Sequence, residues 1–483
     1  MNPNFDTVII GAGQGGPLAR MLAKGGQRVA LIEKHFVGGS CTNVGCTPTK
    51  AHIAAAKVAH VIRTSNDFGV DSHLVNIDLA AVARRSRRIV EEFRRENEEY
   101  LLSTPRLELI YGIGRFRGHD TVEVQQQNGR ELTVQAKNFV VAVGTHSEIP
   151  AIEGLSEVPF ITHVEALALE RVPPDLLIMG GGYISCEFAQ MFARFGSRVT
   201  IVQSAEQLMP REDEDVASAI ADILRDSGVE VVLGCEVKRV GKTNDGLKAI
   251  WHEEERNFSH LLVATGLAPQ TRNIGLEGAG VDIDEEGYIR TSDYLRTTNQ
   301  SIYALGDCKG GPQFTHIAYD DARILRDGLL RGTWRSIQER PVPYTVFIDP
   351  QLGRIGLSER EAQKANKKFD VVRLEMKDTA RGIETGQIRG FWKILIERDT
   401  EQILGGALLS GEGGETMAIL QMAMMAKMPY MALRDAVLAH PTWAESLNNV
   451  FLRFDEQIAA KNNVRSPKGE LEELRHSKRA FGQ

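Results

Sequence analysis

Residues 6–16 read DTVIIGAGQGG. Asp6 to Ile10 is a short apolar run with strand character. Gly11, Gly13 and Gly16 follow in a G-x-G-x-x-G pattern, and a helical stretch, Pro17 to Lys24, comes next. Strand, glycine turn and helix in this order are the fingerprint of a dinucleotide-binding βαβ unit. The first glycine makes the tight turn, and the second lets backbone approach a pyrophosphate that rests on the helix N-terminus. The next strand, Val29 to Ile32, delivers Glu33, 22 residues after Gly11. A carboxylate there can accept from both hydroxyls of an adenosine ribose. The fold class is therefore α/β.

Beyond Glu33 the chain reads GGSCTNVGCTPTK, Gly38 to Lys50, and then a helical stretch from Lys50 to Thr64. Cys41 and Cys46 have four residues between them. In a regular helix such residues sit about 8–9 Å apart at Cα, beyond the roughly 7 Å a disulfide tolerates. Bridging this pair needs a tightened or broken first turn, which Gly45 and Pro48 permit. The long segment Asp78 to Leu102 carries Arg84, Arg85, Arg87, Arg88, Arg94 and Arg95 interleaved with Glu91, Glu92, Glu96, Glu98 and Glu99. That interleaving reads as a solvated, ion-paired helix rather than a nucleic-acid face. Short strands Leu107 to Tyr111, Thr121 to Val124 and Asn138 to Val143 read as an antiparallel excursion that returns to the sheet and ends at Gly144.

A second fingerprint follows. The strand Asp175 to Met179 runs into GGGYISCE, with Gly180 and Gly182 in the first two positions and Ser185 in the third. The following strand, Val199 to Val202, ends in Gln203 where an acid is usual. Glutamine can bond a ribose hydroxyl but supplies no charge for a 2′-phosphate, so NADH is favoured over NADPH. LLVATG closes this unit at Gly266. Two such folds imply two dinucleotides, one a held flavin and the other a nicotinamide that comes and goes. SIYALGD, Ser301 to Asp307, reads as a strand returning to the first sheet, with Asp307 suited to a ribityl hydroxyl. After Arg340 alternating strands and then helices from Gly414 form an α+β unit. It contains AHPTWAES, in which His440 stands five residues before Glu445. A carboxylate beside an imidazole orients it and raises its basicity, as acid/base work on thiols requires.

Composition narrows the rest. With 483 residues the chain has room for about three domains, and 42% hydrophobic with 25% charged residues is ordinary for a globular protein. A net charge of −7 draws it to neither nucleic acid nor acidic membrane. No apolar run reaches about 18 residues, and the chain enters a strand at once, leaving no export signal. Five cysteines in this length are no disulfide scaffold. Cys186, Cys235 and Cys308 read as structural, and the location as cytoplasmic.

GAGQGG, GGSCTNVGCTPTK, GGGYISCE, ATGLAP, YALGDC and HPTWAES, in this order, resemble the flavin-dependent pyridine nucleotide–disulfide oxidoreductases, and within them the mercuric-reductase-like and dihydrolipoamide-dehydrogenase-like group. The resemblance implies an FAD-binding domain (1–150 and 270–340), an NAD(P)-binding domain (151–269), a dimerisation domain (341–460) and a polar tail (461–483). It implies that Cys41 is the thiol meeting substrate and Cys46 the thiol beside the flavin C4a. Lys50 would sit near flavin N5, paired with Glu187. Gly39, Gly114, Gly144, Asp307 and His316 would lie against FAD, and Tyr183 and Gly266 at the nicotinamide site. His440 and Glu445 would come from the second copy of a homodimer with shared active sites. The implied reaction carries electrons from NAD(P)H through FAD and a Cys41–Cys46 disulfide to a small disulfide or oxidised sulfur substrate. Mercuric ion reduction, dihydrolipoamide oxidation toward NAD+ and an FAD-holding redox sensor are the alternatives. The last cysteine of the sequence is Cys308, so the C-terminal cysteine pair common in mercuric reductases is absent from it. Leu438 stands where dihydrolipoamide dehydrogenases usually carry a histidine. Both departures concern the substrate rather than the reaction type.

Overall fold

The computed structural model of the protein describes residues 4–461; the expected polar tail beyond Lys461 lies outside the described residues. The chain forms two compact units. One runs from the N-terminus to Pro210 and from Ile220 to Arg340; the other joins Arg211–Ala219 to the chain from Pro341 onward.

In the first unit, β1 (Phe5–Ile10) pairs in parallel with β2 (Val29–Glu33) on one side and with β5 (Glu131–Val141) on the other. The strand β3 (Leu107–Phe116) is long enough to serve two partners: Leu107 to Tyr111 lie along β2, and Gly112 to Phe116 along the antiparallel β4 (Thr121–Gln126). β4 returns to β5, and Ile302–Ala304 adds a parallel strand beyond it. The central strands are buried on both faces, which is why they read as continuous apolar runs. Val8, Ile10, Ile32 and Phe139 pack into one core, and Ile9, Leu31 and Val140 into another with Leu18 and Leu22 of α1 (Gly15–Lys24).

The same unit holds a four-stranded parallel sheet in the order 260–263, 175–179, 198–202, 229–232, followed along its strands by the helix Tyr183–Phe195. α2 (Gly39–Asn43), α3 (Cys46–Thr64) and α4 (Leu79–Leu102) complete the part that matters for the site. Asp78 caps α4 by accepting from the Ala81 N–H at 2.9 Å. On α4, Arg84 pairs with Asp78, Arg95 faces Glu99 at 3.9 Å, and Glu98 accepts from the Tyr111 hydroxyl.

The second unit is a five-stranded antiparallel sheet in the order 344–346, 351–356, 403–410, 391–397, 369–375, backed by the helix Gly413–Met425. Trp392, fully buried, donates to Ser410 Oγ at 2.8 Å. Residues Arg211–Ala219 belong here because of charge: the buried Lys393 Nζ lies 3.1 Å from Asp213, 2.9 Å from Asp215 and 3.2 Å from Glu359. Arg354 faces Glu212 at 3.3 Å, and the Tyr344 hydroxyl donates to the same carboxylate. No described helix is long and apolar enough to cross a membrane.

Candidate active site

Cys41 lies within α2, and Cys46 is the first residue of α3. Val44 and Gly45 break the helix between them, so the two thiols are not held at regular helical spacing. Gly45 suits this break, since a Cβ there would lie a tight 3.0 Å from the Ser40 carbonyl oxygen. The expectation that the helix begins at Lys50 is corrected: it begins four residues earlier. Pro48 does not bar it, because a first-turn residue has no intrahelical use for an N–H.

Both thiols are free, Cys46 exposed and Cys41 partly buried, and they hydrogen-bond each other. The bond from Cys41 lowers the Cys46 pKa to about 6; burial and Glu187 oppose this, while Thr315 and Lys50 add to it. The same bond, with burial, raises Cys41. The direction has a second, separate cause. Cys46 opens a 19-residue helix, and a helix N-terminus favours the thiolate. Cys186, Cys235 and Cys308 are buried.

One turn along α3 from Cys46, Lys50 Nζ meets Glu187 Oε2 at 2.7 Å, the carboxylate almost wholly buried. The cysteine motif also touches the first fingerprint directly. Gly39, at φ +64°, lies so close that a Cβ would stand 2.6 Å from Gly13 Cα. Gly11 (φ +105°) turns tightly against Ala142, and Gly16 begins the packing of α1. Glu33 is buried, and its Oε2 accepts from the Ala12 N–H at 2.8 Å while Oε1 accepts from the His35 N–H at 2.9 Å. Its carboxylate therefore braces the glycine loop as well as ending β2. Gly114 is buried inside β3 against Ile32 and Ile10. Asp307 opens a short turn after the strand 302–304, and burial pushes its pKa up to about 6 against the pull of Lys309 and the Thr145 hydroxyl. That turn is held by residues the sequence reading passed over. The fully buried Asp321 accepts from the Gly306 N–H at 2.9 Å and pairs with Arg340 at 2.5 Å and Lys309 at 3.4 Å. The adjacent pair Asp320–Asp321 inside an otherwise apolar helical face was the available signal.

The second fingerprint repeats the first turn, with Gly180 at φ +105° pressed on Ala264. Ser185 is buried and its hydroxyl has no hydrogen-bond partner. Gln203 is buried too, its carbon chain lying under Gly181. Gly266 carries a positive φ of 156° beside Glu148. Tyr183 heads the helix 183–195 with its ring 6.1 Å from Phe314, and His316, in the helix Thr315–Arg331, stacks on Phe314 with ring centroids 5.4 Å apart. In the second unit, Glu445 holds His440 Nδ1 at 2.8 and 3.0 Å, and the Glu445 N–H donates to Thr442 Oγ1 at 3.2 Å.

The profile of the pyridine nucleotide-disulphide oxidoreductases matches residues 5–322, both fingerprints and the cysteine motif included. The chain belongs to this family. The family's dimerisation domain matches residues 342–451, which hold His440 and Glu445. Among curated relatives, the probable pyridine nucleotide-disulfide oxidoreductase RclA of Escherichia coli is 36% identical over 92% of this chain and 98% of its own. The mercuric reductase of Bacillus cereus is 31% identical over 95% of this chain and 73% of its own. Among solved structures, the Cu(II) complex of the HOCl-induced flavoprotein disulfide reductase RclA from Escherichia coli superposes with a TM-score of 0.86. It is 36% identical, over 94% of this chain and 99% of that one. As a member of the family the protein is an oxidoreductase that works with FAD and NAD(P)H.

The residues present fit both groups. α1 and the helix 183–195 each begin on a glycine loop with no side-chain cap, which leaves first-turn N–H groups for phosphate oxygens. A Cβ added at Gly182 or Gly144 would meet nothing within 4 Å, so these backbones border open space that a ligand can approach.

Proposed function

We propose that the protein reduces a small disulfide or oxidised sulfur compound at the expense of NAD(P)H, with Cys41 as the thiol that meets substrate. The observation that carries this is the Cys41–Cys46 dithiol at the N-terminus of α3 with the Lys50–Glu187 pair one turn behind it. Bound FAD would accept hydride from the nicotinamide and supply the electron pair that reopens the Cys41–Cys46 disulfide. The glycine loop 11–16, Glu33, Gly39, Gly144, Asp307 and His316 would hold it, and the loop 180–183 with Gln203 and Gly266 would hold the nicotinamide partner.

The chain's own residues account for the sulfur chemistry. His440 takes the Cys41 proton, since Glu445 occupies Nδ1 and leaves Nε2 for transfer. The Cys41 thiolate attacks one substrate sulfur, the substrate S–S bond breaks, and the leaving thiolate receives the proton back from His440. The Cys46 thiolate then attacks Cys41 Sγ, closing the protein disulfide and releasing the second thiolate. A leaving group other than a thiol, as in a sulfenyl-type oxidant, follows the same course. The low pKa of Cys46 keeps this second nucleophile ionised at neutral pH. His440 and Glu445 would act from the second copy of a cytoplasmic homodimer, a reading supported by the dimerisation domain that contains them.

The test is an anaerobic panel in which NADH-reduced enzyme meets lipoamide, glutathione disulfide, hypothiocyanous acid, Hg2+ and Cu2+. A sulfur oxidant should sustain turnover that Cys41→Ser abolishes, and Hg2+ should inhibit, because a soft metal binds a thiolate pair tightly. Sustained metal-ion reduction faster than that of every sulfur oxidant would overturn the reading.

A further inference from the structure

The hydroxyl of Thr315 faces the dithiol. Thr315 is the first residue of the helix Thr315–Arg331, and its Oγ1 lies 3.7 Å from Cys46 Sγ. It also bonds Cys41. A hydroxyl beside a neutral thiol can donate or accept. Beside a thiolate, which only accepts, it must donate. The hydroxyl has one proton to give, and the sulfur that receives it is the one held ionised.

We propose that Thr315 is a positioning residue for the thiol chemistry: its hydroxyl donates to Cys46 Sγ and fixes which of the two sulfurs carries the negative charge. Three other groups act on Cys46: the Cys41 thiol, which donates to it, the Lys50 ammonium, which favours the thiolate, and the Glu187 carboxylate, which opposes it. Lys50 is tied to Glu187 at 2.7 Å, so its charge is largely offset at the sulfur. Of the two neutral donors, Cys41 and Thr315, Thr315 is the one that takes no part in the sulfur exchange itself. Cys41 stays protonated while Cys46 carries the charge, so Cys41 keeps a proton for His440 to take.

The proposal rests on the reading of Cys46 as the thiolate beside the flavin, and one titration separates the two. In flavin-loaded Cys41→Ser protein, Cys46 should show a long-wavelength absorption band that appears with rising pH. Adding Thr315→Val, which keeps the shape and removes the hydroxyl, should raise the midpoint by about one pH unit, a tenfold loss of thiolate at a given pH. Thr315→Ser should restore it to within about 0.3 unit. A band with an unmoved midpoint in Thr315→Val overturns the role of Thr315 alone. No band at any pH in Cys41→Ser overturns the assignment of Cys46. If Thr315→Val loses flavin, Thr315→Ala gives the same titration with less crowding. Loss of flavin from both, with retention in Thr315→Ser, would make the threonine structural and sink the proposal.

Discussion

The two glycine fingerprints make the same turn and are held in different ways. Gly11 and Gly180 share φ +105°, and a Cβ on either would lie 2.3 or 2.4 Å from the carbonyl oxygen of Ala142 or Ala264. Around the first loop the structure is closed. Glu33 bonds Ala12 from below, and Gly39 presses the cysteine motif onto Gly13. Around the second it is open: Gln203 replaces the acid and packs under Gly181, Ser185 keeps an unpartnered hydroxyl, and Gly182 borders empty space. On the proposed assignment, a shared backbone turn serves a held dinucleotide in one place and an exchanging one in the other, with different side chains around it.

The hardest test of that contrast is a pair of alanines. Gly39→Ala meets both a positive φ and Gly13 Cα at 2.6 Å. It should cost about 3 kcal/mol, or roughly a hundredfold in flavin retention. Gly182→Ala meets nothing and should leave bound flavin unchanged. The ratio of flavin to protein absorbance after desalting measures both, and equal losses would erase the distinction.

Lys50→Met comes next, since it takes the ammonium away from the buried Glu187 carboxylate. Lys50 is one-third exposed, so the penalty should be about 2–3 kcal/mol, below the full cost of breaking a buried pair. Denaturant unfolding should show it, and Glu187→Gln combined with Lys50→Met should recover most of the loss. Glu33→Gln keeps one acceptor oxygen and removes the charge, so flavin should be held about tenfold more weakly.

The pH dependence of Cys46 is smaller in reach. Its folded pKa lies below that of a free thiol, so the thiolate is present at neutral pH and is lost as pH falls through about 6. The rate at which Cys46 closes the protein disulfide and releases the second thiol product, under single-turnover conditions, should fall below that point. A midpoint near 8.5 would remove the helix and hydrogen-bond argument. The smallest effect expected is nucleotide choice: NADH should exceed NADPH a few-fold in kcat/KM, and a tenfold preference for NADPH would contradict the part given to Gln203.

Both fingerprints were legible because glycine at positive φ leaves a mark in sequence that no other residue leaves. Cys41, Cys46 and the His440–Glu445 pair were legible for a related reason, since chemistry demands those residue types. The start of α3 was placed at Lys50, four residues late, because Gly45 and Pro48 were read as loosening the first turn, whereas a first-turn proline fits within the helix. Asp321, Arg340 and Thr315 were passed over since their meaning lies in what folds against them. Arg211–Ala219 shows the same limit: Glu212, Asp213 and Asp215 look like any solvated turn until Arg354 and Lys393 close on them.

That last arrangement has a bearing on synthesis. Asp215 finds Lys393 178 positions later. On a ribosome adding about 5–20 residues per second, the wait is roughly 10–35 s. Of the cations that close on Glu212, Asp213 and Asp215, Arg354 and Arg373 emerge before Lys393 does. Lys393 comes with the strand Phe391–Glu397, so these carboxylates can take their full set of partners only after that strand is made.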